Sequence, residues 1–121
     1  MTETRIVERL DAHCLAHPGA AKGQPFRDDG IFAFTVAGKI FAILRPGHEP
    51  PRISLKGDPD ESERLRATHP AITPGYRLNK RHWNTVLLDG SVPDELVLSL
   101  VDDSYDLVLA SLTRAQRANL R

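Results

Sequence analysis

Cysteine is nearly absent. Cys14 is the sole one in 121 residues, which excludes an internal disulfide and a multi-cysteine zinc site. Net charge is absent as well, because sixteen Lys and Arg balance sixteen Asp and Glu, so the total gives no sign of a polyanionic partner. No apolar run approaches the roughly 18 residues that span a bilayer. The charged opening Met1-Thr2-Glu3-Thr4-Arg5 lacks the apolar stretch of a signal peptide. These absences argue against a membrane protein and a secreted precursor, and set the expectation of a cytoplasmic chain with no membrane partner.

Catalytic signatures are missing too. Gly19, Gly23 and Gly30 neither form G-x-G-x-x-G nor precede a Lys-Ser/Thr pair, which excludes a P-loop. No nucleophile elbow of the G-x-S-x-G type occurs, and Ser104 beside Asp103 and Tyr105 falls inside a helical pattern, where hydroxyls cap or bond back to the backbone. His13 and His17 stand four apart, as zinc-binding histidines on a helix can. No Glu follows the first of them, and no third ligand is evident. Cys14, between them, continues the apolar spacing Ile6, Leu10, Cys14 and reads as a buried small hydrophobe. His48 and His69 read as exposed surface. The expectation is a non-enzymatic chain with no cofactor and no metal.

What is present is a foldable pattern. A length of 121 residues points to a single domain, residues 1–121, and a 40% hydrophobic fraction suffices for a core that buries about 65% of the unfolded chain's surface. Thr2 as N-cap and the Ile6, Leu10, Cys14 spacing predict a first helix ended by His17-Pro18-Gly19. Residues 22–30 read as a polar connection. Phe32, Phe34 and Val36 alternate as a strand does, Ala37-Gly38 makes a tight turn, and Lys39 to Arg45 is a second strand, apolar on both faces. Beyond the proline-rich loop at 46–51, Ile53 and Leu55 alternate with Arg52, Ser54 and Lys56, a third strand with one wet face.

Asp58-Pro59-Asp60-Glu61 is the strongest local signal: an N-cap, proline at the first helical position and an acid three residues after the cap. A helix to about Thr68 follows. Trp83 to Leu88 supplies another strand, and Pro93 opens a last helix whose apolar stripe runs from Leu96 to Leu112, with a bend expected at Asp102-Asp103-Ser104. The order α-β-β-β-α-β(-β)-α predicts an α+β, two-layer fold: an antiparallel sheet with helices packed on one face.

Charge is uneven along this order. Residues 39–83 carry nine basic and five acidic side chains, whereas residues 84–108 carry six acids and no Lys or Arg. Within the basic block, Arg77-Leu78-Asn79-Lys80-Arg81-His82-Trp83 alone combines charge, amide, imidazole and aromatic groups. Such groups can neutralise phosphate, bond base edges and stack on bases. The competing account is structural, with Trp83 burying on the order of 200 Å² and Arg77 and Lys80 covering its rim.

His17-Pro18-Gly19, Pro25-Phe26, Phe41 after Gly38-Lys39, Ser54-Leu55-Lys56, Pro74-Gly75-Tyr76, the Asn79-Lys80-Arg81-His82-Trp83 box and Asp103-Ser104-Tyr105 with Leu112 recur in an order and spacing that resemble the MmcQ/YjbR family of small bacterial proteins. The resemblance spans nearly the whole chain. It implies a two-layer fold akin to CyaY-like and secretion-chaperone folds, and a DNA-binding role through a double-wing arrangement of hairpins. Carried over by position, the matching residues are Lys56, Asn79, Lys80, His82 and Trp83, with Arg81 where the family often has Lys.

The functional expectation is therefore DNA binding through a basic sheet face comprising Arg52, Lys56, Asn79, Lys80, Arg81 and His82, which requires Arg45 on the same surface. Two rivals stand beside it. One is a protein-interaction module, chaperone-like or homodimerising, which needs a contiguous exposed apolar patch. The other is a small-ligand-binding domain with a pocket between the sheet and the last helix, near Trp83 and Tyr105, which needs polar groups inside a concavity.

Overall fold

The computed structural model describes residues 2–26, 30–75 and 78–120, with side chains from residue 5 onward. Thr2 is the first residue of α1, but its side chain, the expected cap, lies outside what is described, as do Tyr76 and Arg77. The elements run α1 (Thr2–Leu15), β1 (Ala20–Gly23), β2 (Phe32–Val36), β3 (Lys39–Arg45), β4 (Arg52–Lys56), α2 (Pro59–Thr68), β5 (Ile72–Pro74), β6 (Trp83–Leu87), α3 (Asp94–Ala110) and α4 (Arg114–Ala118). None of these helices is long and apolar enough to cross a membrane.

The strands form one antiparallel sheet in the order β1-β2-β3-β4-β6-β5. This is the expected α+β fold with two additions. β1 takes its place at the sheet edge where the sequence reads as a connection, because Ala20-Ala21-Lys22-Gly23 lacks the branched and aromatic residues that announce strands. Pairing with β2 supplies what the composition does not, and Lys22 Nζ lies 4.5 Å over the Phe32 ring while its ammonium meets the Asp11 carboxylate. α4 is started by a capping box between Thr113 and Gln116.

The β2–β3 hairpin closes through Ala37 and Gly38 at φ 51° and 81°, the positive pair that a two-residue turn of primed type demands. A register shift between Phe34 and Thr35 turns both Phe41 and Ala42 inward, and each is fully buried. Extra residues of this kind re-aim side chains, and here the gain is a ring at the centre of the core. Phe34, Ala42, Leu44, Ile53, Leu55, Ile72 and Val86 meet Ile6, Leu10 and Cys14 of α1 and Val97, Val101, Tyr105 and Val108 of α3. The helices thus share one face of the sheet, and Cys14 lies among them with no exposure, its thiol pushed up to about 12 by burial and then by Asp11 and Asp102.

Three local expectations change. α3 runs unbroken through Asp102-Asp103-Ser104, with no internal cap there: Ser104 is buried, its hydroxyl donates to Phe41 O (2.5 Å) and accepts from Lys56 N (2.9 Å), so the polar residue ties the helix to the sheet. The face of β4 away from the helices is not wet at its centre. Ser54 is fully buried, shares a hydrogen bond with Thr85 (2.9 Å) and accepts from Arg45 Nη1 (3.3 Å), which folds across it. Trp83 is half-buried and stands outside the core cluster. Strand alternation explains this: Asn84 and Val86 point to the helices, so Trp83 points away and packs on Gly75, where an added Cβ would come within 2.7 Å of the Trp83 Cβ.

Candidate functional site

Asp58 begins the site. Its carboxylate accepts from Glu61 N (3.1 Å), fixing the start of α2, and Pro59 occupies the first helical position. α2 then runs beside the β5–β6 end of the sheet, but it does not close against α3. Between them lies a cavity of about 340 Å³, within the range of small-molecule sites.

The cavity has apolar walls and a polar floor. Leu55 and Val86 of the sheet, Leu65 of α2, and Leu100 and Leu107 of α3 line it. At its base Asn84, only 6% exposed, donates from Nδ2 to Ser62 Oγ (2.8 Å), while its buried Oδ1 has no hydrogen-bond partner among the described residues. A buried acceptor left unmade costs about 1 to 3 kcal/mol. Gly57 makes room for this pair: a Cβ there would stand 2.8 Å from Ser62 Oγ and 3.2 Å from Asn84 Nδ2.

Acids crowd the mouth. Asp58, Glu61, Asp103 and Asp106 border it, with Lys56 the one basic residue among the described lining. Asp58 serves as cap and Glu61 pairs with Arg64 (2.6 Å), which leaves Asp103 and Asp106. Desolvation, followed by the Asp106, Asp102 and Glu61 carboxylates, holds Asp103 above the usual carboxylate range. The arrangement favours a positively charged N–H donor that bonds the Asn84 acceptor within reach of the acids, with an apolar body lying against the leucines.

The residues expected from sequence to bind nucleic acid divide. Strand register sets Arg45 opposite Arg52, on the face away from the helices, and Lys56 lies four residues on from Arg52. Arg45 is 6% exposed, however, and bound to Ser54, so it is withdrawn from that surface. Arg52 is half-buried, its Nε without a partner among the described residues. Asn79 is committed to its own turn, its Oδ1 accepting from Arg81 N (2.9 Å) and His82 N (3.3 Å). Lys80 donates to Gly75 O (3.3 Å), while Arg81 and His82 are exposed beside the end of β4, where Gly57 N donates to His82 O (2.9 Å). The cavity does lie between the sheet and α3, but it is reached from Asn84 and Asp103, not from Trp83 and Tyr105. For a docking patch, the large exposed hydrophobics among the described residues are Leu15, Phe26 and Leu107, on three separate segments.

Sequence reasoning missed two partnerships. Asn84 reads locally as a polar residue in a strand, and nothing nearby announces Ser62, 22 positions earlier. The sequence around His13 and His17 shows no third partner, yet the fold brings Asp102 to both: Oδ1 is 2.7 Å from His13 Nε2 and 2.8 Å from His17 Nε2.

Comparison with known proteins agrees with this architecture. The YjbR family model matches residues 15–107. The chain is similar to the uncharacterized protein YjbR of Escherichia coli K12, 36% identical over 111 residues, 92% of this chain and 93% of that one. It is also similar to YbdF of E. coli O157:H7, another uncharacterized protein, at 34% over 88 residues, 73% of this chain and 72% of the relative. Among solved structures, Deinococcus radiodurans DR2400, a DUF419 domain, superposes with a TM-score of 0.85 at 41% identity, covering 94% of this chain and 86% of that one. A Pseudomonas syringae protein superposes at 0.71 with 25% identity, covering 88% and 98%.

Proposed function

The chain belongs to the YjbR family, whose matched E. coli relatives carry no activity in their names, and from its own cavity we propose that it is a binding protein for a small cationic molecule with an apolar body and an N–H donor, such as an alkylammonium compound. The observation that carries this reading is the buried, unpartnered Asn84 Oδ1 at the base of an apolar cavity. A ligand N–H placed there removes a desolvation cost, and the neighbouring acids select positive charge. Calorimetric titration with hexylammonium, hexanoate and hexanol tests it. Hexylammonium is expected to bind with a Kd on the order of 1 mM, each added methylene tightening binding by about 0.8 kcal/mol, or roughly fourfold, until the cavity is full. Hexanoate is expected to bind far more weakly, and Leu65→Trp, which fills the cavity, to abolish binding. Equal binding of ammonium and carboxylate overturns the reading.

DNA binding is the second reading, favoured by the placement of Arg52 and Lys56 on one strand with Lys80, Arg81 and His82 on the turn beside its end. Four phosphate contacts by Arg52, Lys56, Lys80 and Arg81 give a slope of log affinity against log salt near −0.9 × 4, about −3.6. Fluorescence anisotropy with generic duplex DNA at two salt concentrations measures it. Charge reversal at Lys80 and Arg81 is expected to weaken all duplexes alike, since phosphate contacts carry no sequence information. No binding at low salt removes this reading without touching the first.

A further inference from the structure

On the opposite flank of α3, His13, His17 and Asp102 aim three ligand atoms at one another, all within 4.8 Å. Hydrogen bonding fixes what these atoms are. His17 Nδ1 lies 2.9 Å from the His13 carbonyl. A carbonyl only accepts, so Nδ1 carries the proton. In neutral His17 the Nε2 atom then presents a lone pair, yet it lies 2.8 Å from the Asp102 carboxylate. Two acceptors at that separation repel, so either a proton or a metal cation must be shared between them. His13 Nε2 converges on the same oxygen at 2.7 Å.

The surroundings hold this geometry. The His17 ring packs against Tyr105, centroids 4.5 Å apart, and against Phe41 at 5.9 Å. Tyr105 is anchored in turn by its hydroxyl, which donates to Pro18 O (2.7 Å). A backbone carbonyl taking the distal ring N–H is the arrangement that orients metal-ligating histidines. The approach stays open, because the side chain of Asp102 is 49% exposed and that of His13 32%.

We propose that His13 Nε2, His17 Nε2 and Asp102 bind one divalent transition cation of borderline softness, with Zn²⁺ as the representative. Two imidazoles and one carboxylate are a donor set of this class, which leaves a fourth position for water or a ligand. The all-oxygen preference of Mg²⁺ and Ca²⁺ disfavours them here. Tetrahedral Zn²⁺ with bonds of about 2.0 to 2.1 Å separates its ligand atoms by about 3.3 Å, so loading lengthens each His–Asp102 separation by roughly half an ångström and ties the end of α1 to the middle of α3.

The test uses the full, untagged chain, stripped with chelator and then freed of it. Competition against a chromophoric chelator is expected to show one equivalent of Zn²⁺, Co²⁺ is expected to give the visible absorption of a low-coordinate site, and Mg²⁺ and Ca²⁺ no effect. His17→Gln and Asp102→Asn should each weaken Zn²⁺ by more than the 10- to 100-fold that loss of an outer-shell partner costs. His69→Gln should leave it unchanged. Circular dichroism of each variant separates loss of ligand from loss of fold, and Zn²⁺ should raise the Tm of the wild type but not of Asp102→Asn. The proposal is overturned by uptake well below one equivalent, by binding that survives Asp102→Asn, or by a doubly protonated His17 ring that excess Zn²⁺ does not displace.

Discussion

The two flanks of α3 make opposite uses of the same residue type. Toward α1, the acids are taken up: Arg9 reaches Asp94 and Glu95 at 3.2 Å each, and His13 and His17 both meet Asp102. Toward α2, Asp103 and Asp106 have no ion-pair partner among the described residues, and the space before them is a cavity instead of a packed seam. An acidic run in the sequence is therefore not one feature. On a helix, positions three or four apart share a face and adjacent ones do not, so Asp102 and Asp103 belong to different chemistries, one meeting a histidine pair and one bordering a pocket.

The largest effect that sharpens this contrast is in packing. Leu10→Ala, on the sealed flank and with no exposure, is expected to cost about 2 to 5 kcal/mol. Leu65→Ala, on a wall already bordering open space, should cost less than half of that in the same urea titration. Equal costs would mean that the cavity flank is packed as tightly as the seam. Next, Gly57→Ala should destabilise by about 1 to 3 kcal/mol, because its Cβ drives into the Ser62–Asn84 pair. It should also remove hexylammonium binding. Retained binding would place the ligand elsewhere.

The smallest effect carries a sign. The carboxyl of Asp103 is raised in the folded state, so its contribution to stability is full below the unfolded carboxyl range near 3.9 and is lost as pH rises through the folded value. Asp103→Asn should thus be slightly more stable than wild type at neutral pH, the gain disappearing in acid, where both side chains are uncharged. Thermal melts across pH 3 to 8 measure this. A variant that is less stable at neutral pH would show that the Asp103 carboxylate is favourably partnered.

Local chemistry in the sequence carried much of this fold. The Asp58 cap, the Ala37-Gly38 turn and the Ile6, Leu10, Cys14 stripe each depend on residues within a turn or two, and each recurs in the structure as read. What escaped reading depends on distant partners. β1 is a strand through its pairing with β2, Ser54 is buried because Arg45 and Thr85 close over it, and Trp83 faces away from the core because of register. The site is less legible than the fold for the same reason. Asp102 meets histidines 85 and 89 positions away, and the open acceptor of Asn84 exists only where α2 stops short of α3.

The most direct test of the cavity as the functional site is to map amide chemical shifts while hexylammonium is added to the ¹⁵N-labelled chain. The expected result is a saturable set of shifts at Gly57, Ser62, Leu65, Asn84 and Leu107, far weaker with a carboxylate of equal length and absent in Leu65→Trp. Shifts confined to the turn at residues 79–82, or none that saturate, would contradict the account.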